Sequence, residues 1–200
     1  MHKGRLEAFS DGVIAIIITI MVLELKVPQG PAVADLIALL PVFLSYSMSF
    51  VFVGIYWNSH HHLLQAVRSV NGATLWANLH LLFWLSLVPF VTNWMGENAS
   101  DAVPVAAYGV VLLACGVAYT ILARALVRHH GSDSLVERAL GRDRKGIASL
   151  VIYATAIPAA FVHTRIAQAL FVSVAIMWLV PDPRFERLLS VEHGNSGDPH

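Results

Sequence analysis

The chain has 200 residues, of which 56% are hydrophobic and only 13% charged, and its mean hydropathy is +0.64. These values exceed what a soluble domain of this length normally carries, so the composition excludes a soluble globular protein and indicates an integral membrane protein. The formal net charge is zero, which argues against nucleic-acid binding through a basic face. We therefore expect membrane lipid, and no nucleic acid, around the chain.

Six apolar stretches are long enough to cross about 30 Å of hydrocarbon as helices. In chain order they cover residues 9–27, 33–57, 73–94, 102–126, 146–162 and 166–180. The last two are separated by only three residues, which predicts a tight helical hairpin, with one long broken helix as the alternative. The predicted fold class is all-α, with a single six-helix membrane domain over residues 1–182 and a short cytoplasmic tail over residues 183–200.

Basic residues predict the orientation of these spans. Eleven of the thirteen lysines and arginines fall on the side of the two termini, and only Lys26 and Arg165 fall on the other side. Because cytoplasmic loops carry the excess of basic residues, both termini are predicted to be cytoplasmic. In the cytoplasmic loop before the fifth span, Ser134 and Glu137 have the spacing of a capping box, which predicts a short helix.

The first span opens with Arg5 and Asp11 ahead of an almost purely aliphatic run. An acid in a membrane helix is costly unless it is paired, so Asp11 indicates a functional or structural site. Arg5 lies six residues from Asp11 and points in another direction, so we expect Asp11 to find its partner on a different helix. A secretory signal peptide is the alternative, but no small-residue cleavage site follows the apolar run.

One face of the first span forms a narrow stripe. At about 100° per residue, Ile16, Thr19, Ile20 and Leu23 fall within roughly one third of the helix circumference, and Ser10 points elsewhere. From periodicity alone this stripe fits a packing seam between helices of one subunit.

Polar residues also mark the second and third spans. His60, His61 and His62 are consecutive, so they do not share a helix face and form a weak chelating set. No metal site is therefore predicted. Asn78 lies inside the apolar third span, and a polar group there must find a partner. A hydrogen-bond network to Asp11, or plain exposure at the membrane interface, is the favoured interpretation of the histidines.

Three ordered blocks give the chain a family resemblance. They are Arg5 with Phe9-Ser10-Asp11-Gly12, then Trp57 followed by His60 and Leu63, and then Asn78 eleven residues before Pro89-Phe90. With these blocks the chain resembles the bacterial branch of the transmembrane protein 175 potassium channels, whose animal members are lysosomal. The resemblance covers roughly the first ninety residues, and the last three spans match in topology only.

The resemblance implies a homotetramer in which the first helix of each subunit lines a central pore. It implies that Ile16, Ile20 and Leu23 narrow this pore and that the hydroxyl of Thr19 lies beside the constriction. The polar set is expected to fix helix packing without touching ions; its members are Arg5, Phe9, Ser10, Asp11, Trp57, His60 and Asn78. Glu24, which is off the centre of the stripe, is a secondary candidate for the pore mouth, with interfacial exposure as the alternative.

The function implied is passive conduction of potassium across the cell membrane, with no catalytic residues and no cofactor beyond the permeant ion. A proton-coupled or ion-coupled transporter is the alternative, although its ionisable groups would be expected near the membrane midplane and those here lie near one end. An enzyme would need a convergent acid, base or nucleophile, and Asp11 with His60 is the only pair available. A potassium-permeable channel is the favoured function.

Overall fold

The computed structural model describes residues 3–67, 69–130 and 144–179. The described residues form eight helices. These are α1 (Lys3–Leu23), α2 (Val33–Ala38), α3 (Leu40–Gln65), α4 (Gly72–Ser86), α5 (Val88–Glu97), α6 (Ala102–His130), α7 (Arg144–Val162) and α8 (Thr164–Leu179). The predicted capping box at Ser134 and Glu137 and the tail over residues 183–200 lie outside the described residues.

Five segments are long and apolar enough to cross a membrane: α1, α3, α4 with α5, α6 and α7. Helix α8 is also apolar but has only 16 residues, which gives a rise of about 24 Å. The chain is therefore an all-helical, multi-pass membrane protein with five to six spans.

Two predicted spans are each divided by a proline. The second predicted span becomes α2 and α3, with Pro41 in the first turn of α3, and the third becomes α4 and α5, with Pro89 in the first turn of α5. A proline has no N–H to donate to the preceding turn and its ring clashes with the carbonyl four residues earlier, so it begins a helix more readily than it continues one.

Two helix boundaries also differ from the sequence prediction. Helix α1 begins at Lys3 and ends at Leu23, instead of covering residues 9–27. The residue before a proline disfavours helical backbone, and Val27 precedes Pro28, so the helix unwinds before this pair. Helix α3 continues to Gln65, so the three consecutive histidines lie in its last turns and not in a loop.

The predicted hairpin at the end of the bundle is confirmed. Helices α7 and α8 are joined through His163 alone and pack against each other. The indole N–H of Trp178, near the end of α8, donates to Ser149 Oγ near the start of α7 at 2.9 Å. The two helices are therefore antiparallel neighbours and not one long broken helix.

Helix α6 is central in the subunit and α1 is peripheral. Helix α6 packs against α4, α5, α7 and α8, whereas α1 packs against α3, α4 and α5. The start of α1 lies beside the end of α3, where Lys3 Nζ donates to the carbonyl of Gln65, and the end of α1 lies beside α5. This peripheral position leaves part of the surface of α1 uncovered by its own subunit.

Candidate functional site

The covered face of α1 is a regular row of buried residues along the helix. Its buried residues recur every three or four positions; they are Leu6, Ser10, Ile14, Ile17 and Met21. This spacing places all five on one side of an α-helix, where they pack against α3, α4 and α5. Ser10 is the only polar residue of these five and is fully buried.

A relay of hydrogen bonds connects Ser10 to the neighbouring helices. His60 Nε2 lies 2.7 Å from Asn78 Oδ1, Asn78 Nδ2 donates to Ser10 Oγ at 2.9 Å, and Ser10 Oγ donates to the carbonyl of Leu6 at 2.9 Å. Since an amide oxygen can only accept, His60 carries its proton on Nε2 when it makes this bond. The relay joins α3, α4 and α1, and all three polar side chains are buried.

Asp11 has its partner on another helix, as the sequence predicts. The indole Nε1–H of Trp57 on α3 donates to Asp11 Oδ1 at 3.0 Å. One turn earlier on α1, Glu7 Oε1 lies 3.3 Å from Nδ1 of His61, whose ring stacks on Trp57 at a centroid distance of 5.9 Å. Asp11 thus pairs with Trp57, and Glu7 pairs with His61. The two acids are four residues apart on α1, and their two partners are four residues apart on α3.

The structure brings only part of the predicted polar network together. Ser10, His60 and Asn78 form the relay, and Asp11 and Trp57 form a separate pair beside it. Arg5 and Phe9 are exposed, and Arg5 makes no hydrogen bond or ion pair with the part of the chain that the structure describes. Arg5 and Phe9 therefore lie outside the network, because they sit on the uncovered side of α1.

The opposite face of α1 is uncovered. Ile16, Thr19, Ile20 and Leu23 are all exposed in the single subunit, with relative exposures of 58% for Ile16 and 80% for Leu23. Packing of this stripe within one subunit, the interpretation that periodicity alone favours, is therefore wrong. Thr19 Oγ1 donates to the carbonyl of Ile16 at 2.9 Å, so its proton is engaged with the backbone and its lone pairs remain free.

The end of α1 near Leu23 is tied to α5. Asn93 Nδ2 donates to Glu24 Oε2 at 3.3 Å, and Lys26 forms an ion pair with Glu97. Beside these ties, a groove of about 470 Å³ runs between α1 and the junction of α4 with α5. The groove is lined by Ile16, Ile20, Glu24, Ser86, Phe90 and Asn93.

Sequence reasoning missed three contributions to this region. Glu7 and His61 were not predicted, although Glu7 lies four residues from Asp11 and His61 four from Trp57, a spacing that indicates a shared face. A second buried polar cluster joins α3, α5 and α6, where Ser49 Oγ lies 2.8 Å from the hydroxyl of Tyr108 and 2.7 Å from Thr92 Oγ1. This cluster could have been predicted from the hydroxyl residues inside the apolar spans, because a polar group there must find a partner.

No group of three His, Cys, Asp or Glu side chains suited to a metal ion occurs within residues 3–67, 69–130 and 144–179. The consecutive histidines are divided between environments. His60 belongs to the buried relay, and His61 faces Glu7. The described side chains therefore hold helices together here and do not converge on a metal.

Comparison with known proteins gives consistent results for sequence and structure. The family model described as "Endosomal/lysosomal potassium channel TMEM175" matches residues 5–89. A protein named potassium channel from Chryseobacterium sp. (strain P1-3) is 52% identical over 189 residues, which cover 94% of this chain and 98% of that protein. The human endosomal/lysosomal proton channel TMEM175 is 41% identical over 85 residues, which cover 36% of this chain and 17% of that protein.

The fold matches that of a solved member. The crystal structure of a lysosomal potassium-selective channel TMEM175 homolog from Chamaesiphon minutus superposes with a TM-score of 0.78 and 29% sequence identity, covering 89% of this chain and 96% of that one. The sequence match thus covers nearly all of the Chryseobacterium protein, and the structural match covers nearly all of the Chamaesiphon chain. The chain belongs to the bacterial branch of the TMEM175 potassium-channel family.

Proposed function

We propose that this protein is a potassium-permeable channel of the cell membrane that conducts passively, with four copies around a central pore lined by α1. The observation that carries this proposal is the uncovered stripe of α1, in a chain that is 52% identical to a protein named potassium channel. A helix held by buried polar contacts on one face and exposed on the other is suited to pack around a shared axis.

Ile16, Ile20 and Leu23 form the constriction in this proposal. Rings of bulky aliphatic side chains narrow a pore enough to remove water from an ion, and such a ring acts as a gate when it dewets. Potassium holds its hydration shell less strongly than sodium, so a narrow apolar ring favours potassium. The exposure of all three side chains in the single subunit supports this assignment.

Thr19 supplies oxygen beside the ring. Its hydroxyl proton is bound to the carbonyl of Ile16, so the oxygen presents lone pairs that can replace part of a lost hydration shell. The sequence threonine-valine-glycine-tyrosine-glycine, whose carbonyls form the filter of other potassium channels, does not occur in the chain. We therefore propose a selectivity weaker than that of a carbonyl filter.

Orientation follows from the distribution of charge. The excess of basic residues on the side of the two termini supports a cytoplasmic location for both ends, and in that orientation the end of α1 near Glu24 faces outward. Glu24 stands at the outer mouth of the pore in this arrangement. The polar relay is proposed to hold α1 in register without contacting ions.

The test is potassium and sodium flux in proteoliposomes that contain purified wild type or Ile16→Asn. A polar ring binds water more readily than an aliphatic one, so we expect the variant to conduct with its potassium preference reduced by about threefold or more. Val22→Asn is the matched control, because Val22 is also exposed but lies about 120° away from Ile16 around the helix.

The two variants separate a pore-lining face from a lipid-facing one. A change confined to Ile16→Asn supports the constriction on this face of α1. Unchanged selectivity in Ile16→Asn would remove Ile16 from the filter. Transport that requires an opposing ion gradient would instead favour the coupled transporter.

A further inference from the structure

The outer end of α1 is followed by an acid, Glu24, and a base, Lys26, two residues apart. The two side chains make different kinds of contact with α5. Glu24 accepts a hydrogen bond from Asn93, whereas Lys26 forms an ion pair with Glu97. Asn93 and Glu97 are four residues apart on α5 and therefore share a face one turn apart. Two parallel contacts thus connect the end of α1 to one side of α5.

Of the two acids among these four residues, only Glu97 is paired with a base. Lys26 is paired with Glu97, and the amide of Asn93 is neutral, so no cation among the described residues pairs with the carboxylate of Glu24. Without Glu97, the flexible side chain of Lys26 could reach Glu24 only two residues away and neutralise it.

Asn93 also fixes where this charge lies. Its Nδ2 donates to Glu24 Oε2, and its Oδ1 is buried without a hydrogen-bond partner among the described residues. Glu24 is therefore the contact that orients the Asn93 side chain, and Asn93 in turn holds the carboxylate. Both residues line the same groove as Ile16 and Ile20, so the hydrogen bond holds the carboxylate next to the stripe.

We propose that Asn93 is a positioning residue for conduction, which holds an unneutralised Glu24 carboxylate at the outer mouth to concentrate monovalent cations, while Glu97 keeps Lys26 away from it. This inference rests on the proposed pore along α1. Fixed negative charge near a narrow entrance raises the local cation concentration and the rate of entry, and added salt screens the effect.

The experiment measures single-channel conductance of purified, reconstituted protein at low and high potassium chloride. At about 0.01 M the Debye length is about 30 Å, and at about 1 M it is about 3 Å, so the contribution of Glu24 is strong at the first and screened at the second. We expect Glu24→Gln to lower conductance by about two- to threefold at low salt and to leave it nearly unchanged at high salt.

Variants of the neighbours separate positioning from general damage. Asn93→Leu should lower low-salt conductance, and the double variant Glu24→Gln/Asn93→Leu should match Glu24→Gln alone, because Asn93 acts only through Glu24. Glu97→Gln should lower conductance by releasing Lys26, and Glu97→Gln/Lys26→Gln should restore it. Asp101→Asn, which removes an exposed acid at the start of α6, is the control and should conduct as wild type.

The outcomes distinguish this inference from the proposed function. Wild-type conductance in Glu24→Gln at low salt, or no recovery in Glu97→Gln/Lys26→Gln, would overturn the inference. If Ile16→Asn still changes selectivity in the same preparation, the pore along α1 stands and only the role of Asn93 and Glu24 is rejected. If Ile16→Asn is also without effect, the proposed pore itself is rejected.

Discussion

Helix α1 has two faces that differ in what covers them. On one face, Ser10 is fully buried and bound to Asn78, and aliphatic neighbours above and below it pack against three other helices. On the other face, Ile16 and Leu23 are largely exposed. Both faces are mainly aliphatic, so hydrophobicity does not distinguish them.

The difference shows what decides which side of a uniformly apolar helix faces the rest of the protein. In hydrocarbon, apolar side chains gain little from choosing protein over lipid, and buried polar contacts and close packing therefore decide which side turns inward. The relay from His60 through Asn78 to Ser10 supplies that choice for α1. Substitutions on the anchored face should therefore change stability, whereas substitutions on the uncovered face should change conduction.

The largest effect is expected from Asn78→Leu. This change keeps the branched shape and the number of side-chain heavy atoms but leaves the buried Nε2–H of His60 without an acceptor, which costs about 2–3 kcal/mol of stability. The measurement is the thermal unfolding of detergent-solubilised protein, followed by tryptophan fluorescence. Asn58→Leu on an exposed position of α3 is the control and should unfold as wild type.

A double substitution makes this prediction sharper. When both partners of a buried hydrogen bond become apolar, no unsatisfied group remains, so His60→Phe/Asn78→Leu should recover part of the stability that Asn78→Leu loses. If Asn78→Leu is as stable as wild type, the relay does not anchor α1, and the comparison of the two faces loses its physical basis.

The sequence predicts the helices better than it predicts how α1 is fixed. Apolar stretches of sufficient length indicated the spans, and the cost of an acid in a membrane helix correctly indicated that Asp11 pairs with another helix. The uncovered stripe could not be recognised from periodicity, because an aliphatic stripe looks the same whether it faces a helix, lipid or a pore. The contact between Asn93 and Glu24 joins residues 69 positions apart, and such a contact depends on the packing of α1 against α5.

A smaller effect is expected from Thr19→Val on the uncovered face. Valine keeps the shape but removes the oxygen, so the permeability ratio of potassium to sodium should fall by about threefold, or roughly 0.7 kcal/mol. Stability should stay within about 0.5 kcal/mol, because Thr19 is exposed in the subunit. The measurement is the reversal potential with potassium on one side and sodium on the other.

The control for Thr19 lies on a different helix. Thr155 on α7 is also exposed, and its hydroxyl also donates to a backbone carbonyl, that of Val151 at 2.8 Å. Thr155→Val should therefore leave the permeability ratio unchanged. An equal change in both variants would show that hydroxyl loss acts through the helix backbone and would contradict a direct role for Thr19.

The smallest effect is expected from Glu7→Gln, at the edge of the anchored face. Glu7 Oε1 lies 3.3 Å from Nδ1 of His61, and both side chains are partly exposed, so the pair is screened and contributes less than about 0.5 kcal/mol. Glutamine keeps an acceptor oxygen, and the change therefore removes the charge alone. Thermal unfolding of Glu7→Gln beside Asp101→Asn, a control acid away from α1, measures the difference. A loss comparable to that of Asn78→Leu would mean that an ionic contact, and not the buried relay, fixes the orientation of α1, so the division between its two faces would be sensitive to salt.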